Sequence, residues 1–153
     1  MTPEQKCAEL GITLPAAAKP VAAYLPFVKS GDLLFISGQL NIENGKIAQT
    51  GIVGDTATID SAINAAHLCA VNILAQIISA LGNLSQVERV VKLGGFVASH
   101  PSFTDQPKII NQASEIFASV FGDSGQHARF AVGVAALPFN AMVEIDAVIE
   151  CKK

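Results

Sequence analysis

One stretch limits what this chain can fold into more than any other. From Ile59 to Leu81, apolar residues recur at Ile59, Ile63, Ala66, Ala70, Ile73, Ile77 and Leu81. Spacings of three and four gather them on one face of an α-helix. Thr58 stands where an N-cap belongs, and Gly82 where a C′ glycine belongs. Asn64, His67, Asn72, Gln76 and Ser79 interrupt the stretch. A spanning helix wants about 20 mostly apolar residues, so the segment reads as a core helix rather than a membrane span. Such a helix needs a broad apolar surface to lie on.

Strands supply that surface. Phe27–Lys29 and Leu33–Gly38 flank Ser30-Gly31-Asp32, a hairpin signal. Asn44-Gly45 is a second turn, between Leu40–Ile42 and Lys46–Ala48. Together these segments predict a three-stranded meander. Arg89–Ala98 reads as a strand. A second helix follows at Asp105–Phe121, with Ile109, Ala113, Ile116 and Val120 on one face and Gly122 past its end. Arg129–Ala136 and Met142–Cys151 close the chain around the turn Pro138-Phe139-Asn140. Before all of these, Thr2–Leu10 reads as a short helix capped by Thr2, opened by Pro3 and stopped by Gly11. Pro15 to Pro26 is Ala/Pro-rich and reads as extended.

The order β-β-β-α-β-α-β-β predicts an α+β fold, a six-stranded mixed sheet with both helices on one face. Residues 1–153 read as a single domain, with 1–20 as an N-terminal helical extension. Two helices cover only one face of such a sheet, and the other needs a partner. Composition agrees. Of the 153 residues, 50% are hydrophobic and 15% charged, against about 25% charged in a typical soluble domain. The surplus apolar surface predicts a subunit interface.

The same arithmetic removes several function classes. A net charge of −3 with no Lys/Arg cluster gives phosphates nothing to bind, and no Trp and one Tyr leave few stacking platforms. Nucleic acid is therefore not an expected partner. The start, MTPEQKCAEL, has neither a basic nor an apolar signal region, which predicts a cytoplasmic protein. Cys7, Cys69 and Cys151 lie far apart with no ligand spacing, so neither a disulfide framework nor a metal site is expected. No nucleophile elbow, phosphate loop or dinucleotide fingerprint is present.

Two strands carry residues that could do chemistry. In the segment from Arg129 to Pro138, alternation puts Phe130, Val132 and Val134 on one face and Arg129, Ala131, Gly133 and Ala135 on the other. An arginine heading a row of small side chains has room beside it for a carboxylate, which a guanidinium grips through two parallel hydrogen bonds. The plainer reading is a solvated arginine at a strand end. On the last strand, Glu144, Asp146 and Glu150 alternate with Val143, Ile145, Ala147 and Ile149. That face is either a solvated one or a place where a carboxylate handles water or a proton. Of the histidines, His67 is mid-helix and His100 precedes Pro101. His127 lies two residues before Arg129, within reach of the same pocket. Gly94-Gly95 predicts a bulge or a close contact.

Three motifs carry a resemblance. Ser37-Gly38-Gln39, then Arg129 followed by Val132-x-Val134-Ala135-x-Leu137-Pro138, then Val143-Glu144-Ile145-Asp146-Ala147 resemble the Rid family (YjgF, L-PSP endoribonuclease-like), over about Val21 to Glu150. The resemblance implies a chorismate mutase-like fold and a homotrimer whose sheets line a central barrel, with three clefts between subunits. It implies hydrolysis of 2-imino or enamine acids to 2-oxo acids and ammonia, with no metal and no organic cofactor. Arg129 would hold the carboxylate of a small substrate and Glu144 the water, on the two adjacent C-terminal strands. Tyr24, Gly38 and Ala131 would line the cleft. The family often has cysteine where Ala131 stands, and the run Lys92 to Phe103 and the N-terminal helix also depart from its pattern, as in a distinct subgroup. An endoribonuclease, the activity in part of the family's name, and a non-catalytic trimer that binds a small carboxylate remain alternatives. Chorismate mutase activity is a remote further option.

Overall fold

The computed structural model describes residues 1–20 and 22–153. Val21, where the resemblance begins, lies outside the described residues. The elements are α1 (Pro3–Glu9), β1 (Phe27–Ser30), β2 (Leu33–Leu40), β3 (Ile42–Glu43), β4 (Lys46–Ile47), α2 (Ile59–Leu81), β5 (Val87–Ala98), α3 (Gln106–Phe121), β6 (Ala128–Val134) and β7 (Val143–Cys151). Five strands form a mixed sheet in the order β1-β2-β7-β5-β6, in which β6 alone runs parallel to its neighbour.

The sheet thus has five strands, not six. The Asn44-Gly45 hairpin is real, but β3 and β4 pair only with each other. The place beside β2 that a meander would give to a third strand is taken by β7, which pairs with β2 from Leu33↔Glu150 to Leu40↔Glu144. The chain is drawn off the sheet after Leu40 by buried amides. Asn72 Nδ2 on α2 donates to the Leu40 and Ile42 carbonyls at 3.1 and 3.0 Å. Asn41 Nδ2 donates to the Gln49 carbonyl at 2.9 Å.

The predicted helix boundaries hold at α2, where the Thr58 hydroxyl caps the Ser61 N–H. This helix is long and apolar enough to cross a membrane by length and composition, but 67% of its most apolar window is buried inside the fold. Both long helices lie on one sheet face. Leu34, Ile36, Leu93, Val97, Val143, Ile145 and Ile149 point into that layer and are buried. Gly94-Gly95 proves to be close contact on both sides rather than a bulge. A Cβ built on Gly95 would sit 2.7 Å from Ile110 of α3, and one on Gly94 would overlap Asp146 and the Phe130 ring on the opposite face. The register shifts of β5 lie earlier, between Val87 and Lys92.

The helix layer is anchored by Phe117 of α3, which has no solvent exposure. Phe117→Ala leaves a cavity that rigid neighbours cannot fill and is expected to cost about 3–5 kcal/mol, read as a lower denaturant midpoint at unchanged slope. The N-terminal helix docks on this layer. Thr2 and Gln5 form a capping box, Cys7 is buried, and the Leu84 N–H donates to the Glu4 carboxylate at 2.6 Å.

The opposite sheet face is uncovered. Val28, Phe35 and Val132 stand 51%, 45% and 42% exposed. Phe96 and Phe130 meet edge to face there, with centroids 5.2 Å apart, and the Lys92 ammonium lies 5.4 Å from the Phe130 ring centre.

Candidate functional site

The Ser-Gly-Gln motif sits in a bulge. Ile36 pairs with Ala147 and Gln39 with Ile145, so three steps on β2 match two on β7. One extra residue bends the strand and re-aims the side chains around it. The Ser37 hydroxyl donates to the Leu25 carbonyl at 2.7 Å, and its N–H to the Pro26 carbonyl at 2.9 Å, which pins the segment before β1. Gly38 then faces the open side, where a Cβ would overlap the Glu144 carboxylate. Glycine is required for that approach.

Glu144 is half-buried, and burial followed by the nearby Asp146 charge pushes its carboxyl above the usual carboxylate range. Asp146 is also raised, mainly by burial, against the opposing pull of the Gly94 N–H and Lys92. Behind Glu144, the Cys69 thiol donates to the Val143 carbonyl at 3.4 Å and ties the strand to α2.

Tyr24, Gly38 and Glu144 line one small cavity of about 100 Å³, whose wall also includes Ala18–Pro20, Pro138 and Phe139. Three of the five residues named from sequence thus share a pocket. Phe139 and the Ala18–Pro20 strap are walls that the sequence reading did not assign. Phe139 had a signal of sorts, since the turn Pro138-Phe139-Asn140 was legible. Its left-handed backbone (φ 57°, ψ 24°) holds the exposed ring beside the pocket, a strained placement for an aromatic residue.

Gly38→Ala drives a methyl into the space of the Glu144 carboxylate. The flexible end of Glu144 can swing aside, so the fold is expected to survive. Any reaction that used the Glu144 carboxylate would fall about 10-fold or more, because an ångström-scale displacement of a reacting group costs up to about 100-fold. Steady-state kinetics beside a thermal melt separate the two effects.

Arg129 and Ala131 lie elsewhere. On β6 they pair with Leu93 and Gly95, so they face the helix layer, while Glu144 faces the open side. The expectation that Arg129 and Glu144 sit on adjacent strands is corrected here. β5 lies between β6 and β7, because parallel pairing of β6 onto β5 places it at the sheet edge. Within one chain these two residues are on opposite faces. The half-buried Arg129 donates from Nη1 to the Ser114 hydroxyl at 3.0 Å and from Nη2 to the Pro107 carbonyl at 3.3 Å. Among the described residues no carboxylate stands within ion-pair distance of it. Ala131 packs against the core. His127 joins Arg129 through Ser114, whereas His100 is occupied locally by Ser102. Among the described residues, no three His, Cys, Asp or Glu side chains gather as a metal-ligand set.

Residues 4–150 match the model of the family described as "YjgF/chorismate mutase-like, putative endoribonuclease". Protein TCP17 of Trypanosoma cruzi is 49% identical over 142 residues, covering 92% of this chain and 89% of its own. A 2-iminobutanoate/2-iminopropanoate deaminase of Dermatophagoides farinae is 31% identical over 140 residues, covering 90% of this chain and 93% of its own. In shape, the crystal structure of a protein of unknown function from Agrobacterium tumefaciens superposes with a TM-score of 0.92 at 56% identity, covering 98% of this chain and 92% of that one. The three motifs, the sheet order and these matches converge: the chain belongs to the YjgF/chorismate mutase-like family.

Proposed function

We propose that this protein hydrolyses small 2-imino or enamine acids to 2-oxo acids and ammonia, in clefts between the subunits of a homotrimer. The observation that carries the reading is the pair of unmatched charges. Arg129 is half-buried with no carboxylate partner among the described residues, and Glu144 is half-buried with a raised carboxyl in a small cavity. A half-buried guanidinium without a counter-ion suits an external carboxylate. The two charges occupy opposite faces of one chain, so a cleft that uses both draws Arg129 from one copy and Glu144, Tyr24 and Gly38 from the next. The exposed apolar face offers the surface on which copies would associate.

The chemistry asks little of the protein. Arg129 fixes the substrate carboxylate and so places the imine carbon. Water adds to that carbon while Glu144 takes one of its protons and passes it to the imine nitrogen, giving a carbinolamine. Glu144 then takes the carbinolamine hydroxyl proton and delivers it to the nitrogen, so that the carbonyl forms as the C–N bond breaks and ammonia leaves. A carboxyl raised toward neutrality does both tasks better than an ordinary one. The Dermatophagoides relative's name states this reaction class. The net charge of −3 argues against the endoribonuclease alternative.

The test is direct. An amino-acid oxidase generates the imine in situ, and the purified protein is expected to accelerate its decay to the 2-oxo acid and ammonia. An unchanged decay rate at saturating protein rejects the proposal.

A further inference from the structure

We propose that Ser114 and His127 form a positioning chain that presents Arg129 to the substrate carboxylate. The proposal rests on the reading of Arg129 given above.

The chain begins at a fixed point. A turn of 3-10 helix at Gly122–Gly125 packs so closely on α3 that a Cβ on Gly125 would overlap the Phe117 carbonyl. The Gly125 carbonyl therefore has little freedom, and His127 Nδ1 meets it at 2.6 Å. A carbonyl can only accept, so Nδ1 carries the hydrogen. In the neutral ring Nε2 is then an acceptor, and it lies 2.9 Å from the Ser114 hydroxyl. That hydroxyl donates to the ring and keeps its lone pairs for Arg129, whose Nη1 approaches at 3.0 Å. The ring is also held edge-on by Phe117, with centroids 6.2 Å apart and planes at 81°.

Two features mark this as more than helix decoration. A serine inside a helix ordinarily bonds back to its own backbone or to water. Ser114 instead bridges two side chains from the loop and edge strand that follow α3. The guanidinium, in turn, is held on one flank only. Of its five N–H donors, one goes to Ser114 and one to the Pro107 carbonyl. The rest are left for a ligand. Ordering a long side chain before the ligand arrives removes part of the entropy cost of binding.

The reaction itself does not pass through Ser114 or His127, so their loss should weaken ground-state and transition-state binding alike. That raises KM and leaves kcat nearly unchanged. Ser114→Ala is expected to raise KM for the imine, and the Kd for 2-oxobutanoate measured by calorimetry, about 5-fold, the scale of ordering one long side chain. Ser114→Thr keeps the hydroxyl and should restore both values. His127→Ala should behave as Ser114→Ala. His127→Gln should restore them, because its amide oxygen replaces Nε2 as acceptor. The double alanine variant should be no worse than either single one, as for residues acting in series.

The proposal is overturned if Ser114→Ala binds 2-oxobutanoate like the wild type while Arg129→Ala does not bind. It is equally overturned if the threonine and glutamine variants fail to rescue. Wild-type binding by Arg129→Ala would instead remove the reading of Arg129 itself, and this proposal with it.

Discussion

Arg129→Ala is expected to lower kcat/KM for imine hydrolysis by roughly 10²–10³-fold, the cost of removing one partner from a desolvated charge pair. The fold should survive. Arg129 sits on the edge strand β6, is only half-buried, and donates to two oxygens that have other partners or solvent. Their loss costs about 1 kcal/mol. Activity should thus collapse while the melting temperature moves by a few degrees at most. A charge-preserving Arg129→Lys should recover little, because a point charge cannot reproduce the two-pronged grip.

Glu144→Gln should separate activity from stability in the opposite direction. In the proposed reaction Glu144 gives and takes a proton, and loss of such a group lowers kcat by about 10²–10⁴-fold. Stability, however, should rise at neutral pH. The Glu144 carboxyl is raised in the folded state, so between its ordinary value and its raised value the native state holds more protons than the unfolded chain. Stability therefore falls as pH climbs through that window, and above it the full cost of an ionised, half-buried carboxylate is present. Glutamine carries no such cost. Thermal melts from acid to neutral pH should show the variant above the wild type at neutral pH and converging with it in acid. Part of the slope should remain, since Asp146 is raised in the same sense. A variant that is both inactive and less stable at neutral pH would contradict this picture of Glu144.

Local signals explain what the sequence revealed. The helix α2 was legible because its period and both of its caps lie within the segment itself. The hairpin at Asn44-Gly45 was legible too, yet its place in the fold was not. A turn says nothing about which distant strand pairs with β2, and β7 arrives from a hundred residues away along the chain. Alternation separated Arg129 from Phe130 and Glu144 from Ile145, but it cannot say which set faces the helices. For that reason the opposite placement of Arg129 and Glu144 was hidden. Ser114 offered no signal at all, because its meaning arises only when His127 and Arg129 fold back onto α3. The family motifs supplied residue identities, and the sheet order supplied their geometry.

Under the proposed function that geometry makes one demand above all: a cleft that uses both residues must combine Arg129 of one copy with Glu144 of another. Mixing subunits measures this directly. Arg129→Ala and Glu144→Gln subunits, each inactive alone, are unfolded together and refolded at equal amounts. Every mixed ring then contains one cleft with both residues intact, so about a quarter of wild-type activity should return if association is random and the oligomer is a closed trimer. A mixture that stays as inactive as its components would place Arg129 and Glu144 in the same chain's site, or in no shared site, and would contradict the account.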